Sequence, residues 1–347
     1  MADLEVVFMD AGQGDCTLIV YPDGSLTLVD CGSTKSGKEA FGEIKKVIDR
    51  KLDAKQWFTL VLTHPDEDHY NLLGSINIEK YLGAGGPFHI YYGGHIDLYK
   101  NQREENRTYN LLRQCKKIDL AFAPPTFDIL PDTLLSRGGV KVTILAANCT
   151  GNPKSTNGAQ KNSNSIVLLV EYQGARIFLM GDAFNLTENY IIDNFKHLNL
   201  LNRLQKSSTD HVVLKMGHHG SDTSTGSDWV KLIQPEVIVV SSGTKSFNGK
   251  GMPTKTHLAS TTANTTLTTT DIDQSYVVFD EAQRGVKGKD FVTMPKTKQA
   301  IWTTCYQADW QASNSRWFES GQTWYYGVEK TGKKAAKHWY GYTGYET

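Results

Sequence analysis

The chain has 347 residues, with 37 lysines and arginines against 37 aspartates and glutamates. That length exceeds one small core and suits one large α/β domain with an appendage, and the charge balance excludes a global basic field for nonspecific nucleic-acid binding while leaving room for a local basic groove. The five cysteines, Cys16, Cys31, Cys115, Cys149 and Cys305, are scattered without a CxxC pair, which points to a reduced compartment. No apolar run approaches the ~20 residues of a membrane helix, and the first residues lack a basic and then apolar leader pattern. The expectation is a soluble, cytoplasmic protein with no membrane partner, signal-free export being the alternative.

Residues 4–10 read as a strand, Gly12-Gln13-Gly14-Asp15 as a tight turn and residues 16–21 as a second strand rich in β-branched side chains. Pro22-Asp23-Gly24 supplies turn chemistry, and residues 26–29 form a third strand that stops at Asp30-Cys31-Gly32. Residues 38–51 show helical spacing through Phe41, Ile44, Val47 and Ile48. A buried strand at 58–62 follows. From 74 to 163 glycines, prolines and polar stretches break the periodicity, and an elaborated insertion is expected there. Strands are predicted again at 165–172 and 176–180, the latter ending at Gly181-Asp182, then a helix at 187–198 and strands at 211–216 and 235–241. Residues 296–347 hold Trp302, Trp310, Trp317, Trp324 and Trp339 with little periodicity.

The most informative segment is Val61-Leu62-Thr63-His64-Pro65-Asp66-Glu67-Asp68-His69, an apolar run ending in imidazoles and carboxylates. Such groups at the end of a buried strand are costly unless something satisfies them together, and a divalent cation does so. His64, Asp66, Asp68 and His69, then Asp182, then His218 and His219 make seven N/O donors from separate strand ends. Two metals that each keep an open position need about that many, with Asp182 suited to bridging. One of His218 and His219 is read as a ligand and the other as supporting or substrate-facing. His and carboxylate donors suit Zn2+ and Mn2+ alike. Lys215 and Ser221 flank the histidine pair and are candidates for contacting a phosphate, surface solvation being the alternative.

These residues resemble the metallo-β-lactamase superfamily, whose HxHxDH motif is matched by His64 to His69 with aspartate in the second histidine position. Together with Asp10-Ala11-Gly12-Gln13-Gly14-Asp15, Val29-Asp30-Cys31-Gly32, Asn164-Ser165, Gly181-Asp182 and His218-His219-Gly220-Ser221, the pattern is similar to the soluble hydrolase domain of DNA-uptake competence channels, over roughly residues 3–285. The resemblance implies a four-layer αββα sandwich with the metals at one edge of the sheets, and hydrolysis by a metal-bound hydroxide. It implies a domain over 1–285, with an insertion at 74–163 and an aromatic-rich extension over 286–347, and a free-standing relative without the channel. By position, His64 and Asp66 would hold one metal, Asp68 and His69 the other, and Asp182 would bridge, while Asp30 would orient the ligand loop through a metal-bound imidazole.

Two departures stand out. Relatives often carry Gly-His-Pro near the end of the domain, where Gly251-Met252-Pro253 puts a thioether, a poor ligand for these metals; His257 is the candidate replacement. The superfamily's separate histidine before Gly-Asp has no clear counterpart, although His89 and His95 lie in the interval. The leading expectation is a metal-dependent phosphodiesterase or nuclease, with Asp68 or Asp182 assisting deprotonation of water and a nucleic acid or small nucleotide as substrate. An ester, lactone or amide hydrolase of the same fold is the first alternative. A non-catalytic binding protein with a degraded site is the second. The aromatic tail suits packing, a protein partner or an oligomer contact better than base stacking.

Overall fold

The computed structural model describes residues 4–9, 11, 13–34, 45, 48, 57–76, 88–102, 105–117, 121–122, 131–208, 210–235, 237–241, 252 and 257. To these it adds the strands Tyr276–Val277, Ala300–Thr303, Thr323–Val328 and Lys337–Tyr342. The helix predicted at 38–51 lies, apart from Lys45 and Ile48, outside the described residues.

Strand alternation in the sequence becomes two-faced strands in the structure. In β1 (Leu4–Phe8), Leu4, Val6 and Phe8 point to one core and Val7 to another. β1 is followed by β2 (Thr17–Val20), β3 (Leu26–Val29), β4 (Phe58–Leu62), β5 (Phe88–Tyr92) and β6 (Ala121–Phe122). The chain then makes β7 (Asp132–Arg137), β8 (Val140–Ala146), β9 (Val167–Tyr172), β10 (Ala175–Leu179), β11 (His211–Lys215) and β12 (Val237–Val240). β13 (Tyr276–Val277), β14 (Ala300–Thr303), β15 (Thr323–Val328) and β16 (Lys337–Tyr342) complete the strands among the described residues.

Two eight-stranded sheets result, in the orders β16-β15-β1-β2-β3-β4-β5-β6 and β13-β14-β12-β11-β10-β9-β8-β7. Each has the same plan. Antiparallel hairpins at one end give way to parallel strands, at the β3–β4 pairing in the first sheet and the β10–β11 pairing in the second. Parallel strands need crossovers and carry their loops at a common end, and it is there that both sheets present the predicted ligands.

The central core lies between the sheets, where Val6, Phe8, Ile19, Val29 and Val61 meet Val142, Leu168, Val170, Ile177 and Val213. On the outer face of the first sheet, Leu28, Leu60, Leu62 and Ile90 pack with Leu112 and Cys115 of α1 (Arg107–Lys117). On the outer face of the second, Leu169, Phe178, Val212 and Leu214 pack with α3 (Asn185–His197) through Ile191 and Phe195 and with α4 (Ser227–Ile233) through Trp229 and Ile233. A short helix, α2 (Gly158–Ser163), precedes β9. The layers are helix, sheet, sheet, helix, as the resemblance implies.

The stretch 74–163, expected as an insertion, supplies β5 to β8 and so part of both sheets. The segment expected as a C-terminal extension contributes β14, which pairs with β12, and β15, which pairs with β1. Short strands framed by turn residues leave too little periodicity to recognise until a neighbour supplies the other half of the ladder. The tail's tryptophan side chains lie outside the described residues. No helix among the described residues is long and apolar enough to cross a membrane.

Candidate metal centre

All five residues of β4 are buried, so the chain leaves the sandwich at Thr63 with polar groups that need partners. Asp30, at the end of β3, supplies them. One oxygen accepts from Thr63 N at 2.7 Å; the other accepts from Thr63 Oγ1 at 2.7 Å and from His69 Nδ1 at 2.8 Å. Asp30 takes a φ of 57° to do this, a left-handed conformation that aspartate adopts more readily than most residues. A single 3-10 turn at Glu67–His69 folds the loop back. A Cβ on Gly32 would stand 2.1 Å from the Asp68 carbonyl oxygen, so bare backbone is required there.

The second sheet contributes from two strand ends. Asp182 follows β10, its amide held by Ser165 Oγ at 3.1 Å. After β11, His218 and His219 both have positive φ, 45° and 54°, and this turn sends the two rings apart. His219 points inward and is buried; its Nδ1 meets the Ser241 carbonyl at 2.9 Å, and Ser241 Oγ donates to the Gly14 carbonyl at 2.7 Å. His218 stays at the rim, with Nδ1 2.9 Å from Thr223 Oγ1 and its ring against Phe184. Glu188 of α3 braces the turn by accepting from Thr225 N at 2.5 Å and Gly226 N at 2.8 Å.

Three imidazoles are therefore anchored through Nδ1: His69 by Asp30, His219 by Ser241, and His64 by Thr63 Oγ1 at 3.1 Å. The Thr63 hydroxyl donates to Asp30 and so accepts from His64, a tautomer assigned from the network. Each ring turns its Nε2 lone pair toward Asp182. His69 Nε2 is 3.1 Å from Asp182 Oδ1, and His64 and His219 Nε2 are 3.7 and 3.5 Å from Oδ2. His219 Nε2 is also 3.4 Å from Asp68 Oδ2. The three Nε2 atoms and Asp182 Oδ1 are buried and make no hydrogen bond in the protein.

Orphaned polar atoms at that depth are costly, and imidazoles fixed through their second nitrogen are the arrangement a metal requires. Burial opposes protonation of His69 and His219, yet Asp182 foremost overcomes it, pushing His69 well up and His219 to about 10. Burial raises Asp182, but the His219 and His69 imidazoles outweigh it and hold its carboxyl well below the usual range. The pocket holds excess negative charge that draws protons onto its imidazoles. A divalent cation meets the same demand and fits the donor set. Groups whose donor atoms lie within 4.8 Å of one another include His64, His69 and Asp182, and also Asp68, His69 and His219.

Asp66 stands apart. It is 3.6 Å from His64 Nε2, but its Oδ1 accepts from the Lys161 ammonium. With the Asn162 amide oriented by its own hydrogen bonds, its nitrogen donates to Asp66 Oδ2 at 3.0 Å and its oxygen accepts from His218 Nε2 at 3.3 Å.

Lys215 does not reach a phosphate position. It is 3% exposed, its ammonium bonded to Asp15 behind the ligands, because the strand's alternation turns it inward. Ser221, also buried, accepts from Thr223 Oγ1 at 3.0 Å within the turn. His257 faces Asp222 and the Ser224 backbone and joins none of the His, Cys, Asp and Glu donor groups among the described residues; Met252 Sδ is 4.0 Å from Gln13 Nε2. His89 packs edge-on to Trp57, and His95 caps the turn at Ile96–Tyr99. Sequence reasoning missed Lys161 and Asn162, which carry no motif, and treated Asp15 only as part of a glycine-containing turn. Asp15 lies 3.9 Å from the Nδ1 atoms of both His69 and His219. An acidic residue next to a glycine turn was the signal available.

Residues 9–77 match the profile of the metallo-beta-lactamase superfamily. ComE operon protein 3 of Bacillus subtilis is 25% identical over 255 residues, covering 69% of this chain and 28% of that protein. Recombination protein 2 of Haemophilus influenzae is 27% identical over 246 residues, 69% of this chain and 24% of that protein. The chain thus spans about a quarter of the length of these curated relatives. Among solved structures, the metallo-beta-lactamase fold protein YhfI from Bacillus subtilis is 12% identical, with a TM-score of 0.43 over 76% of this chain and 94% of that one.

Proposed function

We propose that this chain, which belongs to the metallo-β-lactamase superfamily, is a divalent-metal-dependent hydrolase acting on phosphodiesters. The observation that carries the reading is the convergence of three buried, unpartnered Nε2 atoms on Asp182. His64, His69, His219, Asp68 and Asp182 are the donor set from which a bound divalent metal would draw its ligands, and it would supply Lewis acidity and lower the pKa of water. The protein's own groups divide the remaining work. Asp182, 3% exposed, holds the cluster together; Asp68 has a side chain 23% exposed and opens toward solvent, so it is the group placed to take a proton from water. Burial lowers the His218 imidazole from its usual pKa; at the rim its Nε2 turns to the Asn162 amide.

Lys161, Asn162 and His218 line one side of this cluster with hydrogen-bonding groups, a lining that suits an anionic phosphodiester better than a neutral ester. One relative's name ties it to recombination, which concerns nucleic acids; the proposed substrates are nucleic acid or a small nucleotide. The test is metal content of protein purified without chelator, beside hydrolysis of bis-p-nitrophenyl phosphate and p-nitrophenyl acetate with added manganese or zinc. Bound metal with phosphodiester turnover supports the reading. Turnover of the acetate alone, or no bound metal and no turnover, overturns it.

A further inference from the structure

The donors on the two sides of Asp182 are not equivalent. On one side Asp68 Oδ2 faces the orphaned Nε2 of His219 at 3.4 Å, and Asp68, His69 and His219 form a closed group. On the other side His64, His69 and Asp182 also form a closed group, but its His69 is shared with the first and its Asp182 adjoins it, and Asp66 is the only further carboxylate beside His64 among the described ion pairs. Asp66 belongs to none of the closed donor groups among the described residues. Its oxygens are occupied: the Lys161 ammonium holds Oδ1 and the Asn162 amide holds Oδ2.

This occupation is built into the local fold. Lys161 and Asn162 are successive residues of α2, whose first turn is capped by Asn157 Oδ1 accepting from Gln160 N at 3.2 Å. The next residue but one, Asn164, ties the preceding loop by accepting from Thr150 Oγ1 at 2.7 Å and donating to the Asn152 carbonyl at 3.0 Å. Thr187 of α3 fixes the end of the helix through the Ser163 carbonyl at 2.8 Å. The Lys161 side chain is 22% exposed and that of Asp66 25%, so the pair is only partly covered and open to solvent on one side. A carboxylate already neutralised by an ammonium is a weak ligand, and a second cation placed there meets a like charge.

We propose that Lys161 makes the centre asymmetric: Asp68, His69, His219 and Asp182 hold one divalent metal tightly, while the Lys161 ammonium at Asp66 stands where a second tightly held metal would be and offers its positive charge to the phosphodiester. This deepens the hydrolase reading and rests on it. Lysine is chemically suited to the part, since its compact, mobile ammonium binds phosphate as a point charge. On this proposal the centre holds one metal and one ammonium, where the sequence expectation is two metals.

The test is metal stoichiometry. Wild type, K161M and D66N are stripped, checked for native far-UV circular dichroism, and titrated with Mn2+ by calorimetry, with elemental analysis of the dialysed products. The expected results are one tight equivalent for wild type, a second for K161M as Asp66 is released, and one for D66N. At low Mn2+ the KM of K161M for bis-p-nitrophenyl phosphate rises about tenfold or more, the loss of one charge-assisted contact, and falls back as Mn2+ is raised. Two tight equivalents in wild type dropping to one in D66N overturn the proposal, and that comparison stands even if K161M does not fold. A folded K161M that stays at one equivalent overturns it as well. No tight metal in any of the three overturns the metal-dependent reading instead, which separates the two failures.

Discussion

The loop of residues 63–69 and the turn of residues 217–226 deliver imidazoles to the same point, but they hang on different anchors. The first is held by Asp30, which gathers a backbone amide, a hydroxyl and the His69 imidazole. The second is braced by Glu188, which receives only the two backbone amides of Thr225 and Gly226. Burial raises the Glu188 carboxyl to about 7 despite those amides. Neutral peptide dipoles do not replace the water a buried carboxylate loses, whereas an imidazole can carry a compensating charge. The 63–69 loop is thus anchored through its own imidazole, and the turn through a group whose charge changes near neutrality.

Asp182 joins the two loops, meeting His69 on one and His219 on the other. Its replacement breaks the comparison most severely. D182A is expected to lower bis-p-nitrophenyl phosphate turnover by about a thousandfold or more, corresponding to several kcal/mol of lost charge stabilisation. Steady-state kinetics at saturating metal checks this.

The pH dependence distinguishes the anchors next. The unfolded chain releases the Glu188 proton near 4.5, whereas the folded chain keeps it until about 7. Between those values the folded state binds more protons, so stability falls as pH rises through this window and levels off above it. The contribution is about 3 kcal/mol, from 1.36 kcal/mol per pKa unit. Urea unfolding of wild type against E188Q from pH 4 to 8 reads it: wild type should lose about 3 kcal/mol relative to E188Q by pH 7, and a constant difference would remove Glu188 as the source.

D30N probes the other anchor. The substituted amide nitrogen cannot accept from the donors that Asp30 gathers, so His69 loses its orientation. Metal affinity should fall about 10- to 100-fold, read by competition with a chelating dye. The smallest effect belongs to S241A, which removes the Ser241 Oγ bond to Gly14 but keeps the carbonyl that holds His219. It should cost about 1 kcal/mol of stability and leave metal affinity within about threefold, the deleted bond lying one step removed from the ligand.

Much of the sandwich was legible from alternation: β1, β3, β4, β9, β10 and β11 fall where the pattern placed strands, within a residue or two at their ends. The stretch 74–163 and the tail were not, because short strands without a sustained period acquire meaning only from their partners, as β14 does beside β12 and β15 beside β1. At the centre, the residue types and their place at strand ends picked out His64, Asp66, Asp68, His69 and Asp182. Orientation was a different matter. Lys215 looked available beside the histidines, yet it points inward to Asp15.

What the sequence by itself determined is the chemistry: a dense set of N and O donors, each following a buried strand, which desolvation makes intolerable unless they share a partner. Tertiary structure alone decided which donors share it. Positive φ at consecutive histidines turns His219 in and leaves His218 at the rim. Packing of α2 brings Lys161 and Asn162 onto an aspartate 95 residues away in the chain. Residue identity sets what a group can bind, but distance and direction, which the sandwich imposes, set what it does bind.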